Sequence, residues 1–389
     1  MRIAFLLVHY PGERQSGGVG AAMHSTARAL VDNGHDVAVF VPGDSDAELK
    51  REGVPVRRVA GQCHLPRWFP LRHTLRALFF SRLLYRGFVA QHPRSPFDLI
   101  QATTASLSAY SATGGKTPVS VFVESYPRFC FTADQRAMTL DDRLLDYLKK
   151  RSIIGASRAY APSKLVVKAY QEKEGIHLDF IPPPFLLQNP PRDDAVLRTR
   201  IGPEAFLLYF GQIARIKGVD ILAEALAKLA PHIPDLRAVF VGIDRPFGDS
   251  GRSSMEVVRQ KAGAAAARIL HVEHLGHEQL YPIIAASRCA VLPSRMDNLP
   301  NALQEAMALG AVVIGPNGAS FDELITDGVN GFLFKMEDPD SLAACIERVW
   351  RMPEHDRQRI GEAAKERIRL FGPEHILPIL MRHYEQAMA

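Results

Sequence analysis

Short, continuously apolar runs recur along the whole chain, and most are followed by a stretch with helical spacing. In the first half the runs are 3–8, 37–41, 54–59, 99–103, 119–123 and 158–161. In the second they are 206–210, 238–241, 269–272, 290–292, 312–314 and 332–334. Runs of this length without polar alternation read as strands covered on both faces. Helical patterns fall between them at 21–32, 140–154, 219–229, 279–286, 302–309 and 341–350. Each half therefore predicts a parallel sheet sandwiched by helices. Pro182, Pro183, Pro184, Pro190 and Pro191 separate the halves. Prolines this dense can continue neither a helix nor a central strand, which places an interdomain linker there. With 389 residues, each half can bury its own core. The expectation is two doubly wound α/β domains, 1–183 and 184–370, with ligand at the carboxyl ends of their strands.

Other classes fit less well. No apolar stretch approaches the roughly 20 residues needed to span a bilayer. The first run gives way to His9, Pro11, Glu13 and Arg14, so it predicts a buried strand rather than a leader. Cys63, Cys130, Cys289 and Cys345 are far apart and form no CxxC pair, which points to small buried residues in a reducing cytosol. The net charge of +5 mildly favours anionic partners such as nucleotide phosphates or acidic lipid.

Three strand-to-helix turns carry candidate chemistry. Ser16-Gly17-Gly18-Val19-Gly20 follows the first strand and opens a helix. Its backbone N–H groups suit a phosphate, although a plain tight turn reads equally well. Gly211-Gln212-Ile213-Ala214-Arg215-Ile216-Lys217-Gly218 follows the strand ending at Phe210 and places two cations where a diphosphate would bind. The third and most specific turn leaves the strand ending at Leu292. It runs from Pro293 through Asp297, Asn298, Leu299 and Pro300 into Ala302-Leu303-Gln304-Glu305-Ala306-Met307-Ala308-Leu309-Gly310. Pro300 fits a first helical turn, where its missing N–H costs nothing, and the loop N–H groups before it are then open to an anion. Glu305 lies about two turns down that helix. Beside an apolar stretch its carboxylate needs a partner, either a ribose diol or a neighbouring Arg or Lys.

At these residues the chain resembles glycosyltransferase family 4. The resemblance rests on two acidic residues with seven between them, Asp297 and Glu305, followed by Ala-Met-Ala-x-Gly. Gly17-Gly18, Gly211…Lys217-Gly218 and Asp327-Gly328…Asn330-Gly331 match in the same order. The resemblance implies the GT-B fold: two Rossmann-like doubly wound domains facing a central cleft, with 371–389 packing back on the first. It implies a retaining, metal-independent transfer of a hexosyl or N-acetylhexosaminyl group from a UDP- or GDP-type sugar. The nucleotide sugar is a co-substrate, and no cofactor is implied. The acceptor would be a glycan, a lipid-linked molecule or a small natural product, bound by the first domain.

The same resemblance assigns the ribose hydroxyls to Glu305, the transferred sugar to Asp297, and sugar or phosphate to the N–H groups of Asn298 and Leu299, beside Pro300. Lys217 takes the diphosphate and Gly18, next to Gly17, the distal phosphate. Three departures stand out. Asp297 replaces a glutamate, which shortens its reach by roughly 1.5 Å. Gln212 replaces an arginine, with Arg215 the candidate substitute. Glu124, just past the strand 119–123, replaces an active-site histidine. It is a candidate catalytic or sugar-recognising group, with a structural pair to an arginine as the alternative. These departures leave open a rival of another class, a nucleotide-sugar binding module without catalysis. Other GT-B activities, such as a phosphorylase or an epimerase, are the enzymatic rivals.

From Gly53 to Phe97 there is no acidic residue. A helix over 71–89 would gather Arg72, Arg76, Arg82 and Arg86 within an arc of about 120°. With Arg67, Trp68, Phe69, Phe79, Phe80 and Tyr85 nearby, 67–89 predicts peripheral contact with an anionic membrane at the inner face of the cytoplasmic membrane. A solvated arginine face is the plainer alternative. No recognised nucleic-acid motif accompanies the patch.

Overall fold

The computed structural model describes residues 1–13, 17–66, 68–190 and 192–389; Arg14, Ser16, Arg67 and Pro191, named above, lie outside them. Two compact units result. One comprises Met1–Pro127, Ala137–Leu186 and Phe371–Ala389; the other comprises Arg128–Arg136 and Leu187–Leu370. Nothing in the sequence marks the short Arg128–Arg136 segment as part of the second unit.

Along the chain, the first unit begins with β1 (Arg2–Leu6), α1 (Gly18–Asp32), β2 (Asp36–Gly43), β3 (Ala47–Arg51), β4 (Val54–Ala60) and α2 (Arg72–Gln91). It continues with β5 (Leu99–Thr103), β6 (Val119–Phe122), the start of α3 (Pro127–Ala133), α4 (Leu140–Ile154), β7 (Arg158–Ala161), α5 (Lys164–Glu174) and β8 (Asp179–Phe180). The eight strands pair in the order β3-β4-β2-β1-β5-β6-β7-β8. All are parallel except β3, which runs antiparallel to β4 at the edge. The apolar-run argument misses β3 because an edge strand needs no such run: its charged Glu48, Lys50 and Arg51 suit an open edge. Thr139 and Asp142 form a reciprocal capping box that starts α4, and Ser163 caps α5.

The second unit holds β9 (Leu207–Phe210), α6 (Val219–Leu229), β10 (Ala238–Val241), α7 (Ser254–Ala262), β11 (Ile269–Val272) and α8 (His277–Ala286). β12 (Cys289–Val291), α9 (Asn301–Ala308), β13 (Val313–Pro316), β14 (Phe332–Phe334), α10 (Pro339–Trp350) and α11 (Glu354–Arg369) follow. Its parallel strands run β11-β10-β9-β12-β13-β14, the doubly wound order whose direction of winding reverses between β9 and β12. The sequence pattern misses α11, whose apolar stripe is only Ile360, Ala364 and Ile368, too narrow to stand out among charged neighbours. Of the cysteines only Cys289 is fully buried; the other three are partly exposed, a correction to the expectation, and none of the four forms a disulfide.

The last helix, α12 (Pro373–Met388), belongs to the first unit. Its Ile376, Leu377, Leu380 and Tyr384 enter that unit's core, and full burial of side chains of this size is worth about 1.5–3 kcal/mol each. Polar contacts fix its rotation. Tyr384 Oη donates to Gln101 Oε1 at 2.8 Å, while the His383 ring lies 2.7 Å from Asp179 Oδ2 and 2.9 Å from Ser120 Oγ. Ser120, His383 and Asp179 have the connectivity of a nucleophile–base–acid relay. Ser120 is fully buried within β6, however, so the arrangement tethers α12 rather than reaching a substrate.

Candidate functional site

In the second unit the reversal of winding places the loops after β9 and β12 side by side. Their closeness depends on Gly218. It has φ +68°, and a Cβ there would lie 1.8 Å from the Pro293 carbonyl oxygen, so only glycine fits. Arg295 binds the same two loops together. Its backbone N–H donates to Ile216 O at 2.9 Å, and its guanidinium donates to Arg215 O at 2.7 Å. It also meets Asp220 at 2.6 and 3.0 Å and Glu337 at 2.6 and 3.0 Å. Burial opposes the charge on Arg295, but the two carboxylates outweigh it and raise its pKa. Sequence reasoning passed over this clamp because its partners are distant in the chain.

The clamped loops bring Lys217 to Asp297: Nζ lies 2.5 Å from Oδ2. Both side chains are partly exposed, so the pair is accessible to a ligand. Ser294 Oγ donates to the same carboxylate oxygen at 3.2 Å. The next residues differ from the sequence expectation. Leu299 N donates to Ser320 Oγ at 2.8 Å, so this N–H is already engaged, and Asn298 N faces Asp297 Oδ1 at 3.3 Å. Ser320 Oγ in turn donates to Asp297 O at 3.2 Å, and Gln304 Nε2 donates to Leu299 O at 3.2 Å. Pro300 is the cap of α9 rather than part of its first turn. With no side-chain polar atom, it caps none of the first N–H groups.

Glu305, on α9, is mostly buried, and its neighbour is a histidine rather than the Arg or Lys named as the alternative to a ribose diol. His277 Nε2 lies 3.6 Å from Glu305 Oε1. The carboxylate raises the pKa of His277 above its ordinary value, against the opposing effect of burial. Tyr281 is pushed up by burial and by Glu305. Of the other loop residues, Gln212 is exposed and its backbone carbonyl accepts from Tyr209 Oη at 2.5 Å. The Arg215 guanidinium donates to the Ala133 carbonyl through one of its nitrogens.

In the first unit the winding reverses between β1 and β5. Gly17 caps α1 without a side-chain hydrogen bond, and no atom of the described residues lies within 4 Å of where a Cβ would sit on Gly17 or Gly18. Among the described residues, then, none blocks an anion from the start of α1. Glu124 lies two residues past the end of β6. It accepts from Thr104 Oγ1 and from Lys149 Nζ, the latter at 3.1 Å, so a lysine is among its cationic partners. On the neighbouring strand ends, His9 Nε2 lies 3.1 Å from Ser106 Oγ. Burial lowers the pKa of His9 although Glu124 pulls it up.

Two helices of this unit also share an outer surface. α2 and α4 link parallel strands in the same direction across the sheet and so cover the same face. They abut: Asp141 accepts from His73 N at 2.7 Å and Thr74 N at 3.0 Å. The exposed side of α4 carries Leu140, Arg143, Tyr147, Arg151 and Ile154, while Asp141, Asp142 and Asp146 are engaged in caps or with Lys150. On α2 the exposed positions include Leu75, Arg82, Arg86 and Val89, with Trp68 and Leu71 just before it. Arg72 and Arg76 are half-buried, and Arg76 lies over the Phe80 ring, so the four arginines do not form one open row.

Two family models match the chain: "Glycosyl transferases group 1" over residues 198–367 and "Glycosyl transferase 4-like domain" over residues 17–183. A D-inositol 3-phosphate glycosyltransferase of Nocardioides sp. is 29% identical over 51% of this chain and 46% of its own length. The chain therefore spans about half the length of that relative. Among solved structures, a sucrose-phosphate synthase from Thermosynechococcus elongatus superposes with TM-score 0.78 at 21% identity, covering 99% of this chain and 98% of the other. HepE from Anabaena, in complex with UDP-glucose, gives TM-score 0.72 at 20% identity over 99% of each chain.

Proposed function

Because the chain belongs to the group 1, GT4-type glycosyl transferases and has the GT-B fold, we propose that it is a retaining glycosyltransferase using a UDP- or GDP-type sugar. The observation that carries this reading is the pairing of Lys217 with Asp297 at the second unit's winding reversal, with Glu305 further along α9. A diphosphate entering there offers Lys217 a stronger anionic partner than one carboxylate and releases Asp297 to accept from a sugar hydroxyl. Lys217 then stabilises the leaving diphosphate without a metal. The ribose diol donates to Glu305. HepE, of the same fold, binds UDP-glucose, which supports a nucleotide sugar as partner.

The transferred group in this proposal is a hexosyl or N-acetylhexosaminyl residue. The acceptor hydroxyl, of a glycan, a lipid-linked molecule or a small natural product, is recognised by the first unit, with Glu124 accepting from the sugar or the acceptor. The α2–α4 surface is proposed as a peripheral contact with an anionic membrane at its cytoplasmic side. No described helix is long and apolar enough to cross one.

The test is a thermal-shift screen of UDP, GDP and their sugars, followed by an assay for donor hydrolysis or transfer. A ligand at a hundred times its Kd raises stability by about 2.7 kcal/mol. Stabilisation together with turnover supports the transferase. Stabilisation without turnover on any acceptor class supports the non-catalytic binding module instead.

A further inference from the structure

His277 entered the site unannounced, and its two ring nitrogens constrain its chemistry. Nε2 faces Glu305 Oε1 at 3.6 Å, and Nδ1 faces Gln188 Oε1 at 2.7 Å. A carboxylate and an amide oxygen are both acceptors, and only the imidazolium has a proton on each nitrogen. The other groups bearing on the ring are Glu278 and Tyr281, both from α8 itself; the Tyr281 ring is centred 5.0 Å away. Glu278 adds to the attraction for a proton, and Tyr281 stays neutral because burial and Glu305 raise its pKa.

We propose that His277 is the positioning residue of the ribose site, its imidazolium pinning one carboxylate oxygen of Glu305 so that the carboxylate is already oriented for the ribose diol. The inference rests on the assignment of Glu305 to the ribose. Rotation of an unpinned glutamate would have to be frozen at the moment of binding, which weakens affinity. Deprotonated, the ring loses the positive charge that holds Glu305 and keeps a proton on only one nitrogen, so Nε2 and Nδ1 can no longer both face an acceptor favourably. The pKa of His277 lies above 6.5, so the pinned form persists above that value and disappears as the pH rises further.

The experiment measures the dissociation constants of UDP and GDP by calorimetry across this range for the full chain and for His277→Gln, with Glu305→Gln and the double variant alongside. Thermal melts establish that each variant is folded. For the ligand that binds, the wild-type affinity should fall on the order of tenfold as the pH passes through the His277 titration, the effect of about one pKa unit of coupling. His277→Gln should match the weaker, high-pH wild-type value throughout. Titration of the nucleotide's own phosphate is common to both proteins, so the difference between their profiles isolates the histidine. In the Glu305→Gln background, His277→Gln should have no further effect. Parallel profiles, or a loss in His277→Gln that persists at high pH, overturn the proposal, since the ring would then be idle or in direct contact with the ligand. Full nucleotide affinity in Glu305→Gln removes the ribose assignment itself, an outcome distinct from a failure of His277 alone.

Discussion

Lys217 and Asp297 neutralise one another at 2.5 Å, from loops that follow two adjacent strands. In the proposed function the lysine is held at the site by this pair and is passed to the diphosphate when the nucleotide sugar binds, which frees the carboxylate. Lys217→Ala should weaken nucleoside diphosphate binding by about 1.5–3 kcal/mol, the scale of a hydrogen bond to a charged group. Nucleoside binding should hardly change. Comparing the two ligands by calorimetry decides the matter: an equal loss for both places Lys217 away from the diphosphate.

The two glycine sites call for opposite outcomes on the same substitution. Gly218→Ala forces a side chain into the Pro293 carbonyl and a left-handed backbone, which alone costs about 1–3 kcal/mol. It should lower the melting temperature and separate Lys217 from Asp297, with loss of nucleotide binding. Gly18→Ala meets no atom of the described residues within 4 Å, so the melting temperature should hold while transfer falls, because the methyl group occupies the ligand's approach. A Gly18→Ala enzyme with normal turnover would show that the α1 turn is only a turn.

Glu124 tests the first unit. Glu124→Gln keeps a partner for Thr104 but leaves the mostly buried Lys149 without its carboxylate, so some stability is lost with the charge. Transfer should fall while nucleoside diphosphate affinity stays nearly unchanged. Equal loss of nucleotide affinity and transfer would remove the acceptor-side role.

The tether of α12 makes a prediction about pH. Neutral His383 with its proton on Nδ1 donates to Asp179 and accepts from Ser120, so both contacts are satisfied without charge. Burial lowers the pKa of His383 below 6.5 despite the pull of Asp179. The unfolded chain therefore takes up a proton first as the pH drops below 6.5, and stability falls from there until the folded-state pKa is passed. Asp179, against the effect of its burial, is held below 3.8 by His383 and Arg158. Its contribution is present above 3.8 and lost at lower pH. Urea melts should show a smaller upper loss in His383→Gln than in the wild type, the remainder belonging to groups such as His9, whose pKa burial also lowers. The same slope in both would assign it to another group.

The parts of this molecule that were legible in sequence are those fixed by local pattern. Buried parallel strands announce themselves as unbroken apolar runs, and the doubly wound order follows once their loops are known. Asp297 and Glu305 were found from their spacing around a strand-to-helix turn. What stayed hidden depends on residues far apart in the chain. The partners of Arg295 lie on α6 and just before α10, and no spacing rule connects them. His277 opens α8 and looks like any polar residue at a helix start until α9 is packed beside it. The loop N–H of Leu299 reads as open until Ser320 is seen to accept from it. Arg215 remains the candidate for the cation that Gln212 does not supply, and the Ala133 carbonyl that engages its guanidinium arrives from a segment with no sequence signal.

The outer surface of α2 and α4 yields the remaining prediction. Burying each exposed apolar side chain at a bilayer interface would gain free energy in proportion to its area, about 25 cal/mol per Å². Arg82, Arg86, Arg143 and Arg151 lie among them, and arginine next to an anionic surface adds roughly 1 kcal/mol per charge. Asp146 is paired with Lys150, while Asp141 and Asp142 keep their charge at the helix caps and subtract part of this attraction. The chain should therefore sediment with vesicles containing anionic lipid and much less with neutral ones. Binding should weaken as salt rises, since exposed charges are screened over about 8 Å at physiological ionic strength. Leu140 and Tyr147 are 77% and 57% exposed, so Leu140→Ser and Tyr147→Ser should leave the melting temperature unchanged. If the face inserts as argued, the double variant should lose binding even at low salt, because the apolar share is gone while every arginine remains. Full binding by the double variant would reduce the contact to electrostatics alone, and equal binding to neutral vesicles would remove the arginines from it.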